Sequence, residues 1–348
     1  MKSTKPTIKD IAKLAGVSIP TVHKSIYGKP GVSEQTRARI LEITNELNYS
    51  VNVAASCLKR GMWNVAIVLP LLPHNINQFF RKIWDGIDEA EKMMLDYNVT
   101  LIRMPCGHTS AEQFDIFENI LQRDDIHGVI TYCWDDTSLN PYFEQLKEKG
   151  IPVVTVDSDA VDSCRIGCVT ACGERTGRLA AELLCKMVPP TGRILLLGGN
   201  RLMSLLRANS FGFFSYVDGN YPSLAIFEIN NTGGSSSLED VVVQELENHP
   251  DITGIYCNSA SNVISMCKAL KRTGRDHSVV AIGSDIFEEL VPYLEDGTVD
   301  ATIWQAPELQ SKNAVWMLYE YLSGQAVAEE IRYVKLGIIM NNNYCDYL

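Results

Sequence analysis

Residues 7–52 read TIKDIAKLAGVSIPTVHKSIYGKPGVSEQTRARILEITNELNYSVN, and the spacing of their apolar side chains predicts three short helices. Ile8, Ile11, Ala12 and Ala15 recur at i, i+3, i+4 and i+7, lining one face of a first helix. Thr7 suits its N-cap, and Asp10 falls in the first turn, near the positive end of the helix dipole. Gly16, in the turn Ala15-Gly16-Val17-Ser18, fits a bend where a side chain would clash. Ser18 caps a second helix over 20–27, and Pro20 is tolerated in its first turn, where an N–H has no intrahelical partner. Val22 and Ile26 point inward, which leaves Ile19, Pro20, Thr21, His23 and Lys24 directed outward. Ser33 starts a third helix whose Ile40, Ile43 and Leu47 close a small core.

Two helices joined by so tight a turn present the second one to the major groove of DNA. Charge points the same way. Residues 1–62 carry ten Lys and Arg against four Asp and Glu, a net +6, whereas the whole chain is −11. The remainder is therefore −17, and a basic head on an acidic body is the footprint of a DNA-binding module carried by a domain that avoids polyanions.

The stretches TIKDIAKLAGVS, TVHK, VSEQTRARI and ELNY resemble the DNA-binding head of the LacI family of bacterial transcription regulators. That resemblance implies that Ile19, Pro20 and Lys24 face base edges, that Thr21 touches phosphate, and that His23 bonds a base or a phosphate. Lys24 stands where Arg is commoner and reaches guanine acceptors as a point charge rather than a fork. Thr7, Ser33, Thr36 and Tyr49 are expected phosphate contacts that set register. The linker YSVNVAASCLKRG (49–61) matches the family's hinge helix at Asn52, Ala55 and Leu58, with Leu58 as the side chain that wedges into the minor groove. Val51 replaces a usual proline there, and Ser56 a usual arginine.

Beyond the hinge, apolar runs at 65–69, 100–104, 128–132, 153–156, 194–197, 224–229, 254–257, 279–282 and 301–304 read as strands. Helical segments are expected at 79–95, 113–122, 176–187, 238–248, 262–273, 288–296 and 309–323. Strands alternating with helices argue for parallel sheets, and nine or more strands divide more naturally into two sheets than one. The fold class is therefore α/β, a two-lobed body of parallel sheets behind a small all-α helix-turn-helix domain, and the resemblance implies that this body is periplasmic-binding-protein-like. The expected division is a head at 1–50, a hinge at 51–62 and a body at 63–348. Its lobes take approximately 63–171 plus 305–335, and 172–304 plus 336–348.

Ligands of such sheets bind beyond the carboxyl ends of strands. Asp157 ends the run 153–156, where a carboxylate accepts two hydroxyl hydrogen bonds. The resemblance to sugar-binding bodies implies further cleft residues. Asn77-Gln78-Phe79-Phe80 resembles an N-P-F-F entry in which Asn77 bonds a hydroxyl and Phe79 and Phe80 cover a sugar ring. Arg207, in RANSFGF, matches a ligand-contacting arginine; Asp285 and Gln305 match strand-end ligands; Asn258 supplies another polar group. Trp134 and Asp135 are also placed to line the cleft. Together these side chains offer the paired acceptors and donors and the apolar face that a sugar or polyol needs.

Other chemistry lacks its signature. The ten cysteines form no C-x-x-C, and Cys164, Cys168 and Cys172 lack a nearby fourth ligand, so no metal is expected. Unpatterned thiols, an N-terminus without an apolar signal region and the absence of an apolar run of about 20 residues suit a cytoplasmic, non-membrane protein. Gly198-Gly199-Asn200 is read as a strand-to-loop turn, since neither phosphate-binding glycine pattern is present. No cofactor and no catalysis are expected. The resulting expectation is a ligand-responsive regulator, a repressor of carbohydrate or polyol genes, acting as a homodimer on a pseudo-palindromic operator with a small polar ligand. The alternatives are a regulator whose body binds a protein partner, a solute-binding protein without catalytic activity, and an α/β enzyme such as a nicotinamide-dependent dehydrogenase.

Overall fold

The computed structural model describes residues 6–26, 31–47, 61–71, 78–107, 109–230 and 237–348. In the head, α1 (Ile8–Ala15), α2 (Ile19–Ile26) and α3 (Glu34–Glu46) enclose Ile11, Ala12, Ala15, Val22 and Ile40, with Val17, Ile43 and Leu47 packed around them. The Asp10 carboxylate accepts from the Thr7 N–H at 2.8 Å and its hydroxyl at 2.7 Å, and Gly16 ends α1 in the left-handed region at φ 67°. The Ser18 hydroxyl accepts from the Thr21 N–H, so both turns that the sequence marks form as expected.

The body runs β1 (Trp63–Val68), α4 (Gln78–Met94), β2 (Val99–Arg103), α5 (Ser110–Leu121), β3 (Ile126–Thr131), α6 (Asn140–Glu148), β4 (Val153–Val156) and β5 (Gly167–Thr170). It continues with α7 (Gly173–Met187), β6 (Gly192–Gly199), α8 (Ser204–Asn220), β7 (Leu224–Asn230), α9 (Leu238–Asn248), β8 (Ile252–Cys257), α10 (Ala260–Arg272) and β9 (Val280–Ser284). Helix α11 (Val291–Glu295), β10 (Ala301–Trp304), α12 (Pro307–Leu322), β11 (Ile331–Tyr333) and β12 (Gly337–Ile339) complete it. Two six-stranded sheets result, ordered β11-β5-β4-β3-β1-β2 and β12-β10-β9-β8-β6-β7. Pairing is parallel except between β12 and β10.

Alternate residues of β1 serve opposite faces: Val65 and Ile67 pack with α4 and α12, and Ala66 and Val68 with α5 and α6. In β6, Leu195 and Leu197 meet α9 and α10, and Ile194 and Leu196 meet α7 and α8. Burial on both faces explains why these strands read as continuous apolar runs.

All nine sequence-predicted strands are present, but β5, β11 and β12 were not anticipated, nor were α6 and α8. Strand β5 is only Gly-Cys-Val-Thr, and β11 and β12 are three residues each, too short for a period to show. Helix α6 buries just Phe143 and Leu146, and the sequence of α8 carries Gly212 and Gly219, poor helix formers that mask an otherwise continuous helix. The segment expected as one helix over 288–296 is a 3-10 turn, Glu288–Leu290, followed by α11. Although the sequence shows no repeat, the two sheets share one strand order, so β4 and β9 hold equivalent places.

Candidate functional site

Strands β4 and β9 each end in an aspartate, Asp157 at φ 63° and Asp285 at φ 57°. Asp is among the few residues that tolerate the left-handed region. The two ends are built alike. The Asp157 N–H donates to Val169 O and the Thr170 hydroxyl donates to Asp157 O; the Asp285 N–H donates to Ile303 O and the Thr302 hydroxyl to Asp285 O. Each aspartate's backbone is therefore anchored to the neighbouring strand, which leaves its carboxylate to the cavity.

These carboxylates, with Phe79, Phe80, Asn258 and Gln305, line a cavity of about 360 Å³ between the lobes. Six sequence-named cleft residues thus meet in space although 226 positions separate Phe79 from Gln305. Gln305 serves Asp285 directly: its N–H donates to Asp285 Oδ1 at 2.8 Å and its Nε2 to Oδ2 at 3.0 Å, while Gln310 Nε2 donates to Gln305 O. Burial pushes the Asp157 carboxyl up to about 7, with the Gln310 amide pulling the other way. Burial likewise pushes Asp285 up to about 7, opposed by the Gln305 donors and reinforced by the Asp157 charge. The dry wall disfavours both anions.

Tyr132 and Trp134, just past β3, complete an aromatic wall with Phe80; the Phe80–Tyr132 and Tyr132–Trp134 centroids lie 5.0 and 4.9 Å apart, edge to face. Such edge-to-face packing fixes ring orientation as well as burying area. Trp134 is on the wall as expected. Asp135 is not: its carboxylate accepts from the Ser110 hydroxyl and from the Thr137 and Ser138 N–H groups, holding a turn.

Arg207 also departs from expectation. It does not line the cavity; Met203, just before α8, and Leu206 within it take the inward positions, and Arg207 lies on the rim, paired with Asp136 of the other lobe and donating to Arg201 O at 2.7 Å. Each residue along a helix is rotated by about 100° from the one before, which carries the Arg207 side chain off the wall that Leu206 lines. Asp136 also accepts from the Ser204 N–H at 2.7 Å, so one lobe caps the first turn of a helix in the other. Asn200 adds a third crossing link, donating to Trp134 O. Sequence reading missed Tyr132, Asn200 and Met203 as cleft residues; their position just past β3 and β6 was the available signal. Asn77 lies outside the described residues.

A second concavity of about 440 Å³ lies beside Arg81, Lys82, Arg103 and Phe287. Its cations are already paired, Arg81 with Glu289, Lys82 with Glu308 and Arg103 with Asp88 and Glu91. The strand-end cavity is the better candidate because its polar groups converge.

In the head, Ile19, Pro20 and Lys24 are exposed and Thr21 partly so, on one side of α2; Thr7 and Ser33 are exposed and Thr36 half-buried at helix starts. Arg37 Nη1 donates to the carbonyls of Lys24 and Ser25, which ties the end of α2 to α3. Tyr49, Asn52 and Leu58, and the His23 side chain, lie outside the described residues. Among the described residues no helix is long and apolar enough to cross a membrane, and no cluster of His, Cys, Asp and Glu could hold a metal ion.

A model of the periplasmic binding protein domain matches residues 68–326, and one of bacterial regulatory proteins of the lacI family matches residues 7–52. By its body the chain belongs to the periplasmic binding protein domain family, and its head, residues 7–52, matches the lacI family of bacterial regulatory proteins. This architecture, a DNA-binding head on a ligand-binding body, is that of a ligand-responsive transcription regulator. The chain is 23% identical over 257 residues to the ribose import binding protein RbsB of Bacillus subtilis, covering 73% of this chain and 81% of that protein. It is 30% identical over 183 residues to the HTH-type transcriptional repressor PurR of Vibrio parahaemolyticus, 51% of each, and 31% identical over 166 residues to the probable repressor ExuR of Bacillus subtilis, 45% of this chain and 44% of that one. The chain thus spans about half the length of these repressors. A putative LacI transcriptional regulator from Bacteroides fragilis shares the fold at a TM-score of 0.74 and 20% identity, covering 82% of this chain and 100% of that one. So does an ABC transporter solute binding protein from Burkholderia graminis in complex with D-arabinose, at a TM-score of 0.75 and 20% identity over 82% and 98%.

Proposed function

We propose that this chain is a cytoplasmic, non-catalytic repressor of carbohydrate or polyol genes, switched by a small polar ligand in the interlobe cleft. The observation that carries the reading is the pair Asp157 and Asp285, held at equivalent strand ends against an aromatic wall. Carboxylates bind hydroxyls, and ring faces cover the C–H surface of a sugar. The head at 1–50, the hinge at 51–62 and the lobes at about 63–171 plus 305–335 and 172–304 plus 336–348 divide the work. Two copies bind a pseudo-palindromic operator. The head residues Thr7, Thr21, His23, Ser33, Thr36 and Tyr49 hold the backbone or a base, and Ile19, Pro20 and Lys24 read the groove. Asn52 and Leu58 act in the hinge. Ligand bridges the lobes, changes the separation of the paired heads, and shifts operator occupancy; a coupling of about 3 kcal/mol is enough for a hundredfold change.

The test is a thermal-shift screen of sugars and polyols on the full-length protein, followed by operator binding with and without each hit. Ligands that raise the melting temperature and alter operator affinity are expected, with both effects lost in Asp285→Ala and ligand-free operator affinity kept. A full panel without any shift would overturn the proposal in favour of a protein partner for the body.

A further inference from the structure

We propose that the ligand of this cleft carries a protonated amino group beside its hydroxyls, and that the amine sits between Asp157 and Asp285. The inference deepens the effector reading above and rests on it. It starts from an imbalance of donors and acceptors on the wall. Among the described residues no Lys or Arg lines the cavity, and Arg207 is held on the rim by Asp136. Four of the amide and hydroxyl donors that line it serve the protein itself, while the Asn262 amide, also on the lining, has no side-chain partner among the described residues. Gln305 Nε2 serves Asp285, Asn258 Nδ2 serves Ser210 Oγ at 3.2 Å, Asn200 Nδ2 serves Trp134 O, and the Tyr132 hydroxyl points to Met203 Sδ. Acceptors remain in surplus. Asn258 Oδ1 is buried without a hydrogen-bond partner in a residue only 1% exposed, and its amide orientation is fixed by the groups its nitrogen serves. The two carboxylates add acceptor positions that Gln305 and Gln310 only partly fill.

A bound molecule that brings donors suits the two carboxylates of this wall. A hydroxyl donates once and also asks to accept, whereas an ammonium donates three times and accepts nothing. It also offsets the charge of two buried carboxylates on one cavity wall, whose ionised forms burial disfavours. The ring faces of Phe80, Tyr132 and Trp134 suit a cation as well as sugar C–H groups. A phosphorylated sugar or a uronate would instead add a third anion to a wall without a cation.

The test uses the purified full-length protein and titration calorimetry near neutral pH. D-glucosamine, D-galactosamine and 1-amino-1-deoxy-D-sorbitol are each compared with D-glucose, D-galactose and D-sorbitol. At least one amine is expected to bind about tenfold or more tightly than its hydroxyl parent. Asp157→Asn and Asp285→Asn, which keep shape and remove charge, should weaken that amine about a hundredfold and its parent by less than about tenfold. If every parent equals or exceeds its amine, and that parent's binding is lost in Asp285→Ala, the amine is refuted while the cleft stands as the effector site. If wild-type protein binds neither class, both readings fall.

Discussion

Replacing Asp285 by Asn should change how stability depends on pH, and the structure gives both the sign and the size. Burial raises the Asp285 carboxyl from an ordinary 3.8 to about 7, so between those values the folded chain holds a proton that the unfolded chain has released. Stability then falls as pH rises through that window and levels off above about 7, because the unfolded state binds fewer protons there. At about 1.4 kcal/mol for each pH unit of difference, the full effect at pH 8 is on the order of 4 kcal/mol, an upper value because lobe opening rehydrates the carboxylate before the chain unfolds. A working figure is roughly 2–4 kcal/mol. Asn keeps an oxygen for the Gln305 N–H and lacks the charge, so the variant should lose this part of the slope while Asp157, raised in the same way, retains its own. Urea denaturation of both proteins at intervals from about pH 5 to pH 8 measures it, as the difference between two slopes. Equal slopes in wild type and variant would refute the claim that Asp285 is held in a dry closed cleft.

Three further outcomes are expected. Gly177→Ala should destabilise the second lobe by about 1–3 kcal/mol, because its Cβ would lie 1.9 Å from the Asn209 carbonyl oxygen of α8; thermal unfolding at wild-type stability would show that α7 and α8 can separate freely. Asp136→Ala removes the acceptor that caps α8 across the cleft, so ligand binding should weaken by roughly 1 kcal/mol, about fivefold, in calorimetry; unchanged affinity would mean the rim links do not bear on closure. Lys24→Ala should alter the sequence recovered in operator selection by roughly 1 kcal/mol at one base step, and an unaltered consensus would remove Lys24 from base readout.

The head was legible because its signals are local: a cap, a four-residue turn and a 3.6-residue period all act within one or two helical turns, and Thr7–Asp10, Gly16 and Ser18–Thr21 form as read. Most strands were legible because burial on both faces makes them uninterrupted apolar runs. Helix α8 was not. Its Gly212 has a helix-packing role, since a Cβ there would meet the Glu174 carbonyl oxygen of α7 at 2.1 Å, and the identity of a partner backbone is not written near the residue itself.

By itself the sequence determined a basic three-helix reader, an acidic α/β body, and polar residues at the ends of its strands. Only tertiary structure decided which of those residues share a cavity. It brought Asp157 and Asp285 together from separate sheets, placed Tyr132 and Trp134 on the wall, and swung Arg207 out to Asp136 on the rim. The physical reason is that a strand end fixes where a side chain starts, whereas its neighbours across the cleft depend on how two sheets of equal strand order face each other. That is a long-range packing outcome, which no local period or cap encodes.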